Sequence, residues 1–159
     1  PDSDVFKLAE QTGAAIARAG FTIANGGYGG TMLASSRGAA NAGGRVIGIT
    51  CAAFKSSRPN EYITENVVTE TLDKRLDKLV ELGVGYVVLP GGTGTLLELA
   101  MVWELKGKGF LPGNKPIVLV GGFWRPLVDL MASIDPDTQD QLYLAADAEA
   151  VKEFLLTGM

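Results

Sequence analysis

Histidine is absent from the 159-residue chain, and cysteine occurs once, at Cys51. The first absence removes His-based triads and imidazole metal sites, and with a single cysteine only carboxylate metal sites remain. One cysteine also excludes an intrachain disulfide, and makes a reducing cytoplasm the default compartment. Acid–base chemistry is left to Asp, Glu, Lys, Tyr or Cys. Positive charge is scarce too. Fourteen basic against eighteen acidic residues give a net charge of −4, so the basic surface needed to hold nucleic acid or anionic membranes is missing. No apolar run is long enough to span a bilayer, and no signal peptide is recognisable. The expectation is a cytoplasmic protein with neither a nucleic-acid nor a membrane partner and no metal site.

What the chain has in quantity is glycine, with 21 residues, many of them between an apolar run and a helical stretch. The length suits one domain over residues 1–159. Asp4 to Ala19 has helical spacing, with Val5, Leu8, Ala9 and Ile16 on one side, Ser3 or Asp2 as the cap and Gly20 as the stop. Starting on a helix is unusual for a doubly wound domain. The residues before Asp4 read as the tail of a loop, and a first strand is expected to be missing. Phe21 to Ala24 reads as a short strand, followed by Asn25-Gly26-Gly27-Tyr28-Gly29-Gly30 and a small-residue helix from Thr31 to Ala42. Arg37 on that helix reads as a solvated surface charge. Arg45 to Thr50 is the next strand, with Cys51 just beyond it as a small packed residue. Phe54 to Tyr62 is an exposed loop over the site edge, and Ile63 to Thr69 a short strand.

The region from Thr71 to Leu82 predicts a helix whose apolar stripe is Leu72, Leu76, Leu79 and Leu82. Arg75 falls inside that stripe. A guanidinium facing a core needs an acidic partner or an anionic ligand, unless it snorkels at the stripe's edge. Val84 to Leu89 then reads as a buried strand, and Leu96 to Leu105 as a helix apolar nearly all round. Such a helix is covered on most sides, which makes a subunit interface plausible. Ile117 to Val120 is a further strand, Phe123 to Ala132 a helix and Asp135 to Asp140 a solvated acidic loop. A short strand over Leu142 to Leu144 and a helix from Asp147 to Leu156 close the chain.

Between strand and helix lies Pro90-Gly91-Gly92-Thr93-Gly94-Thr95-Leu96-Leu97-Glu98. A glycine turn at the carboxyl end of a strand is where open α/β sheets bind ligands. Free N–H groups and the helix dipole there suit a phosphate. Thr95-Leu96-Leu97-Glu98 also fits a capping box, so Glu98 is either a cap or a catalyst. The P-loop signature fails, because no glycine turn is followed by Lys-Ser or Lys-Thr. The dinucleotide fingerprint fails as well: Gly92-Thr93-Gly94 lacks the third glycine, and no acid ends the strand near Val120. The expected fold class is α/β, a doubly wound, mostly parallel sheet with helices on both faces (Rossmann-like).

The run Pro90 to Glu98 matches the pattern Pro-Gly-Gly-x-Gly-Thr-x-x-Glu. It resembles the LONELY GUY (LOG) family, often labelled lysine-decarboxylase-like, of Rossmann-type nucleotide-binding proteins. The family's catalytic Arg stands fifteen residues before the motif's proline, the spacing of Arg75 to Pro90. Gly26-Gly27-Tyr28-Gly29-Gly30-Thr31-Met32 is similar to the family's first glycine loop, and Gly44 to Ile49 to its next strand.

The resemblance implies hydrolysis of the N-glycosidic bond of a nucleoside 5′-monophosphate, such as a cytokinin riboside monophosphate or AMP, to free base and ribose 5-phosphate. It implies a homodimer and calls for no cofactor. Arg75 and Glu98 would be catalytic. Gly26, Gly27, Gly29, Gly30, Met32, Pro90, Gly91, Gly92, Thr93, Gly94 and Thr95 would hold the phosphate and nucleotide. A lysine decarboxylase is not expected, since the histidine that usually stacks on pyridoxal phosphate cannot exist here. The chain departs from the family at Arg75-Leu76 in place of Arg-Lys, at Thr31-Met32-Leu33 in place of Leu-Met-Gly, and at Thr50-Cys51-Ala52, where a proline is common. These departures leave the base unassigned. Similar motifs occur in a binding protein for the molybdenum cofactor, so a carrier of a phosphorylated ligand is the alternative reading.

Overall fold

Strand β5 (Ile117–Val120) is a continuous apolar run, and all four of its residues are buried. Such a run is what a parallel strand needs when both faces are covered. Ile117 and Leu119 point to one side, where they pack with Val88, Leu99, Val102, Trp103, Trp124 and Val128. Val118 and Val120 point to the other, against Ala145, Val151 and Leu155. Each buried Val, Leu and Ile among these contributes roughly 1.5–3 kcal/mol by leaving water. Two separate cores on the two faces of one strand define a doubly wound arrangement.

The computed structural model describes residues 3–159. Before β5 come α1 (Asp4–Arg18), β1 (Ile23–Asn25), α2 (Thr31–Asn41), β2 (Val46–Cys51), β3 (Glu65–Thr69), α3 (Leu72–Leu82), β4 (Tyr86–Val88) and α4 (Thr93–Gly107). After it come α5 (Arg125–Ala132), a 3-10 helix (Pro136–Gln141), β6 (Leu142–Ala145) and α6 (Ala148–Thr157). Among the described residues all the strand pairings are parallel, where a mostly parallel sheet was expected. They form two three-stranded sheets, β1-β2-β3 and β4-β5-β6, rather than one continuous sheet. Helix α1 serves both, since its Ile16 packs into the cluster beneath β5 and β6 and into the cluster of Ile23, Ala39 and Val46.

Helices α1 and α2 meet through bare backbone. A Cβ on Gly13 would strike the carbonyl of Ser35, and one on Gly38 would strike the carbonyl of Glu10. Across the same contact Arg37 donates from Nε and Nη2 to both carboxylate oxygens of Glu10, at 2.8 and 2.7 Å. It also lies over the Phe6 ring. The expectation of a solvated Arg37 is therefore corrected. The guanidinium fork matches a carboxylate on the neighbouring helix, and its hydrogen bond holds the Glu10 carboxyl below its ordinary value.

Other local expectations shift for physical reasons. Cys51 is the last residue of β2, paired with Thr69, and is buried and free. The acidic stretch near Asp135 winds into the 3-10 helix, whose Thr138 carbonyl accepts from Trp103 Nε1 at 3.0 Å. Ser3 caps α1 by accepting from Phe6 N–H, while Asp2, the other candidate cap, lies outside the described residues. Among the described residues no helix is long and apolar enough to cross a membrane.

Candidate functional site

Three segments converge where β1, β2 and β4 end. The first is the glycine loop after β1. The second is the start of α3, and the third is the glycine turn that opens α4.

Asn25, the last residue of β1, shapes the first loop. Its Nδ2 donates to the Met32 carbonyl and to the hydroxyls of Ser35 and Ser36, at 3.0–3.2 Å. Its Oδ1 accepts from Gly27 N–H at 2.8 Å. The loop is thus tied to α2, which begins on Gly30 with φ of 62° and no side-chain cap. Asn60 clamps the loop from outside: its N–H donates to the Gly27 carbonyl at 2.8 Å and its Nδ2 to the Tyr28 carbonyl at 3.0 Å.

Arg75 is the buried residue of α3, with 7% of its surface exposed. The leucine stripe meant to flank it is only half covered: Leu72 and Leu82 are exposed at 42% and 39%. The expected core face of α3 is corrected to one buried guanidinium with apolar surface around it. Nε donates to the Ile49 carbonyl at 2.7 Å. Nη2 occupies the space that a Cβ on Gly26 would need, with Met32 Sδ beside it. Nη1 stands 3.8 Å from Glu98 Oε1. The rings of Tyr28 and Phe54 lie 5.6 and 5.9 Å from the guanidinium carbon. Burying a guanidinium is costly unless it is paired and hydrogen-bonded, and these partners from four segments meet that requirement.

Glu98 belongs to the second turn of α4, which starts at Thr93 rather than Leu96. The cap residue is Gly92, and no side chain closes it. Thr95 is therefore inside the helix, and the capping-box reading of Thr95 and Glu98 is corrected. In contrast, Ser3, Thr71 and Asp147 each cap their helices with a side-chain oxygen. The first-turn N–H groups of α4 have no intrahelical acceptor, and a Cβ at Gly92 or Gly94 would meet open space. Such an end is ready for an anion. Gly91 is held against Thr95, whose side chain fills the place of a Cβ there. Pro90 is buried. Just ahead of it, the Leu89 carbonyl accepts from Trp124 Nε1 at 3.0 Å, which fixes the approach to the turn. Burial pushes the Glu98 carboxyl above its ordinary value, against the opposing pull of Arg75.

The residues singled out from sequence are thus partly brought together. Arg75, Glu98, Gly26 and Met32 share one cluster. Gly92 and Gly94 flank the open end of α4, where Thr93 is also exposed, and a Cβ on Gly29 would meet nothing within 4 Å. Sequence reading missed Asn25, Asn60 and the Ile49 carbonyl, and left Tyr28 and Phe54 as loop residues. The Asn-Gly step before the first loop was a signal for Asn25. Nothing local marks a backbone carbonyl as the anchor of an arginine 26 positions away.

This fold and cluster define a doubly wound α/β domain with an uncapped glycine turn beside a buried Arg75 and a partly exposed Glu98. The model of the family described as "possible lysine decarboxylase" matches residues 32–154. The cytokinin riboside 5′-monophosphate phosphoribohydrolase of Rhodococcoides fascians is 30% identical over 156 residues, covering 90% of this chain and 77% of that protein. The protein of the same name from Mycobacterium tuberculosis is 33% identical over 121 residues, covering 74% of this chain and 63% of its own length. Among solved structures, the molybdenum cofactor binding protein from the phototrophic bacterium Rippkaea orientalis superposes with a TM-score of 0.77 at 25% identity, covering 95% of this chain and 85% of that one. The chain belongs to the lysine-decarboxylase-like, LONELY GUY (LOG) family.

Proposed function

We propose that the chain is a nucleoside 5′-monophosphate phosphoribohydrolase. The observation that carries the proposal is the 3.8 Å approach of Arg75 to Glu98 beside an uncapped glycine turn. The names of the relatives support the same reaction. In this reading the N–H groups of Gly91 to Thr95 hold the 5′-phosphate, with Gly26, Gly27, Gly29, Gly30 and Met32 as the opposite wall. Glu98 faces C1′ of the ribose. As the C1′–N bond breaks, the base leaves with the electron pair and takes up a proton. The ionised Glu98 stabilises the developing positive charge on the sugar and accepts a proton from the incoming water. Oxygen from that water becomes the 1-hydroxyl of ribose 5-phosphate. Arg75 anchors the nucleotide and steadies Glu98.

The test is release of free base from AMP and from isopentenyladenosine monophosphate, followed by chromatography. Base release that is lost in Glu98→Ala supports the reading. Unchanged turnover in that variant overturns the role of Glu98.

A second reading is favoured by the structural likeness to a molybdenum cofactor binding protein. The same turns would then hold a phosphorylated ligand without turnover. Tight binding of that cofactor with no base released from any nucleotide would select it.

The working unit in either reading is a homodimer. Leu96 and Leu97 on α4 are exposed at 38% and 44%, close in sequence to Glu98, and Leu72 and Leu82 add apolar surface on α3. The expected all-round cover of α4 is thus incomplete in one chain, and a second copy would complete it. Light scattering behind size exclusion distinguishes dimer from monomer.

A further inference from the structure

Phe54 is a large aromatic side chain left 38% exposed at the rim of the cluster, yet it is not loose. Its N–H donates to the Cys51 carbonyl at 3.0 Å, in a turn at the end of β2. Its ring lies 5.8 Å from that of Tyr28, inclined by 51°. Tyr28 is fixed in turn: its hydroxyl accepts from Cys51 N–H at 2.8 Å and lies 3.3 Å from the Cys51 carbonyl. Both rings sit over the guanidinium of Arg75. Arg75 is sealed by this arrangement, with its side chain 9% exposed, while Phe54 still presents surface to solvent. By contact the groups connect as an uncapped helix end whose second turn carries Glu98, Arg75 beside Glu98, and two rings over Arg75. A nucleoside monophosphate has the same order, from phosphate through sugar to planar base.

We propose that Phe54, backed by Tyr28, is the stacking platform for the base, and so determines how much a substrate's base contributes to binding. This rests on the nucleotide reading of the site. A stacking face rather than a hydrogen-bonding edge favours large planar rings over small ones, because every base has a π-face and purines offer more of it.

The test compares AMP with ribose 5-phosphate, which shares its phosphate and sugar but lacks the base. Titration calorimetry uses the full chain carrying Glu98→Gln, so that AMP is not consumed. AMP is expected to bind at least ten-fold more tightly than ribose 5-phosphate. Adding Phe54→Ala is expected to remove about ten-fold from AMP affinity and leave ribose 5-phosphate unchanged. Phe54→Tyr, which keeps the ring, retains the difference.

Equal affinity for the two ligands, or an equal loss for both in Phe54→Ala, overturns the platform. Equal loss would mean that the ring serves only to place Arg75. The hydrolase reading fails separately, on the base-release assay with the unmodified chain. Absence of release alongside the expected binding pattern removes catalysis and supports the platform. Absence of AMP binding overturns both.

Discussion

The guanidinium of Arg75 is held by the Ile49 carbonyl at 2.7 Å on one edge and stands 3.8 Å from Glu98 on another. The first contact is a tight, charge-assisted hydrogen bond. The second is wider than the 2.7–2.9 Å of a closed ion pair, so the carboxylate is oriented without being consumed. Arg75 therefore behaves as a bracket fixed to β2 that leaves the oxygens of Glu98 available.

Replacing Arg75 by Lys tests the bracket. An ammonium has no planar fork with which to hold Ile49 and reach Glu98 together. Base release is expected to fall by about two orders of magnitude, on the scale of losing one preorganised electrostatic group. Arg75→Ala also leaves the Ile49 carbonyl without its donor, at a cost of about 1–3 kcal/mol. Urea unfolding alongside the activity assay separates the two effects.

Gly26→Ala places a methyl group where Arg75 Nη2 and Met32 Sδ now lie. The guanidinium must move, and overpacking of this kind costs about 1–3 kcal/mol. Activity is expected to fall more than stability. Gly107→Ala, at the last residue of α4, is the matched control, because a Cβ there meets nothing within 4 Å. Equal behaviour of the two variants would argue against any close fit at Gly26.

The pH dependence follows from Glu98, whose carboxyl is raised above its ordinary 4.5 by burial. The proposed role requires the ionised form, so the acid limb of kcat/KM is expected to lie above 4.5 and to vanish in Glu98→Gln. Stability carries the opposite sign. A carboxyl raised in the folded state favours folding when protonated, and this advantage is lost as pH rises through the folded-state value. Glu98→Gln is therefore expected to melt at a higher temperature than the unmodified chain at pH 7. The gap should close below the unfolded value near 4.5. Thermal melts across pH 4–8 read both.

Asn25→Ala removes the side chain that joins Gly27 to Met32, Ser35 and Ser36. Unpaired groups near the base of the loop should cost about 1–3 kcal/mol. The loop that walls Arg75 would lose its register, so activity is expected to fall with stability. Asn25→Asp, which keeps the acceptor for Gly27 but loses the donor, should be intermediate.

Much of this was legible in the chain itself. Periodicity located α1, α3 and α6 closely, because Ser3, Thr71 and Asp147 mark their starts by capping. It placed the start of α4 three residues late, because Gly92 and Gly94 carry no apolar signal even though Gly94 is helical. Arg75 was visible as a charge out of phase with its stripe. Its anchors were not, since Ile49 contributes only a carbonyl, and Gly26 contributes only the absence of a Cβ.

The sequence by itself determined the α/β class, the parallel strands, the glycine turn before α4 and the misplaced charge on α3. These follow from short-range spacing, which the backbone reads directly. Tertiary structure alone decided that Arg75 would rest on β2, that Glu98 would face it rather than cap its own helix, and that Tyr28 and Phe54 would close over both segments' meeting point. These depend on how strands paired across long separations bring their ends together, and no local pattern encodes that geometry.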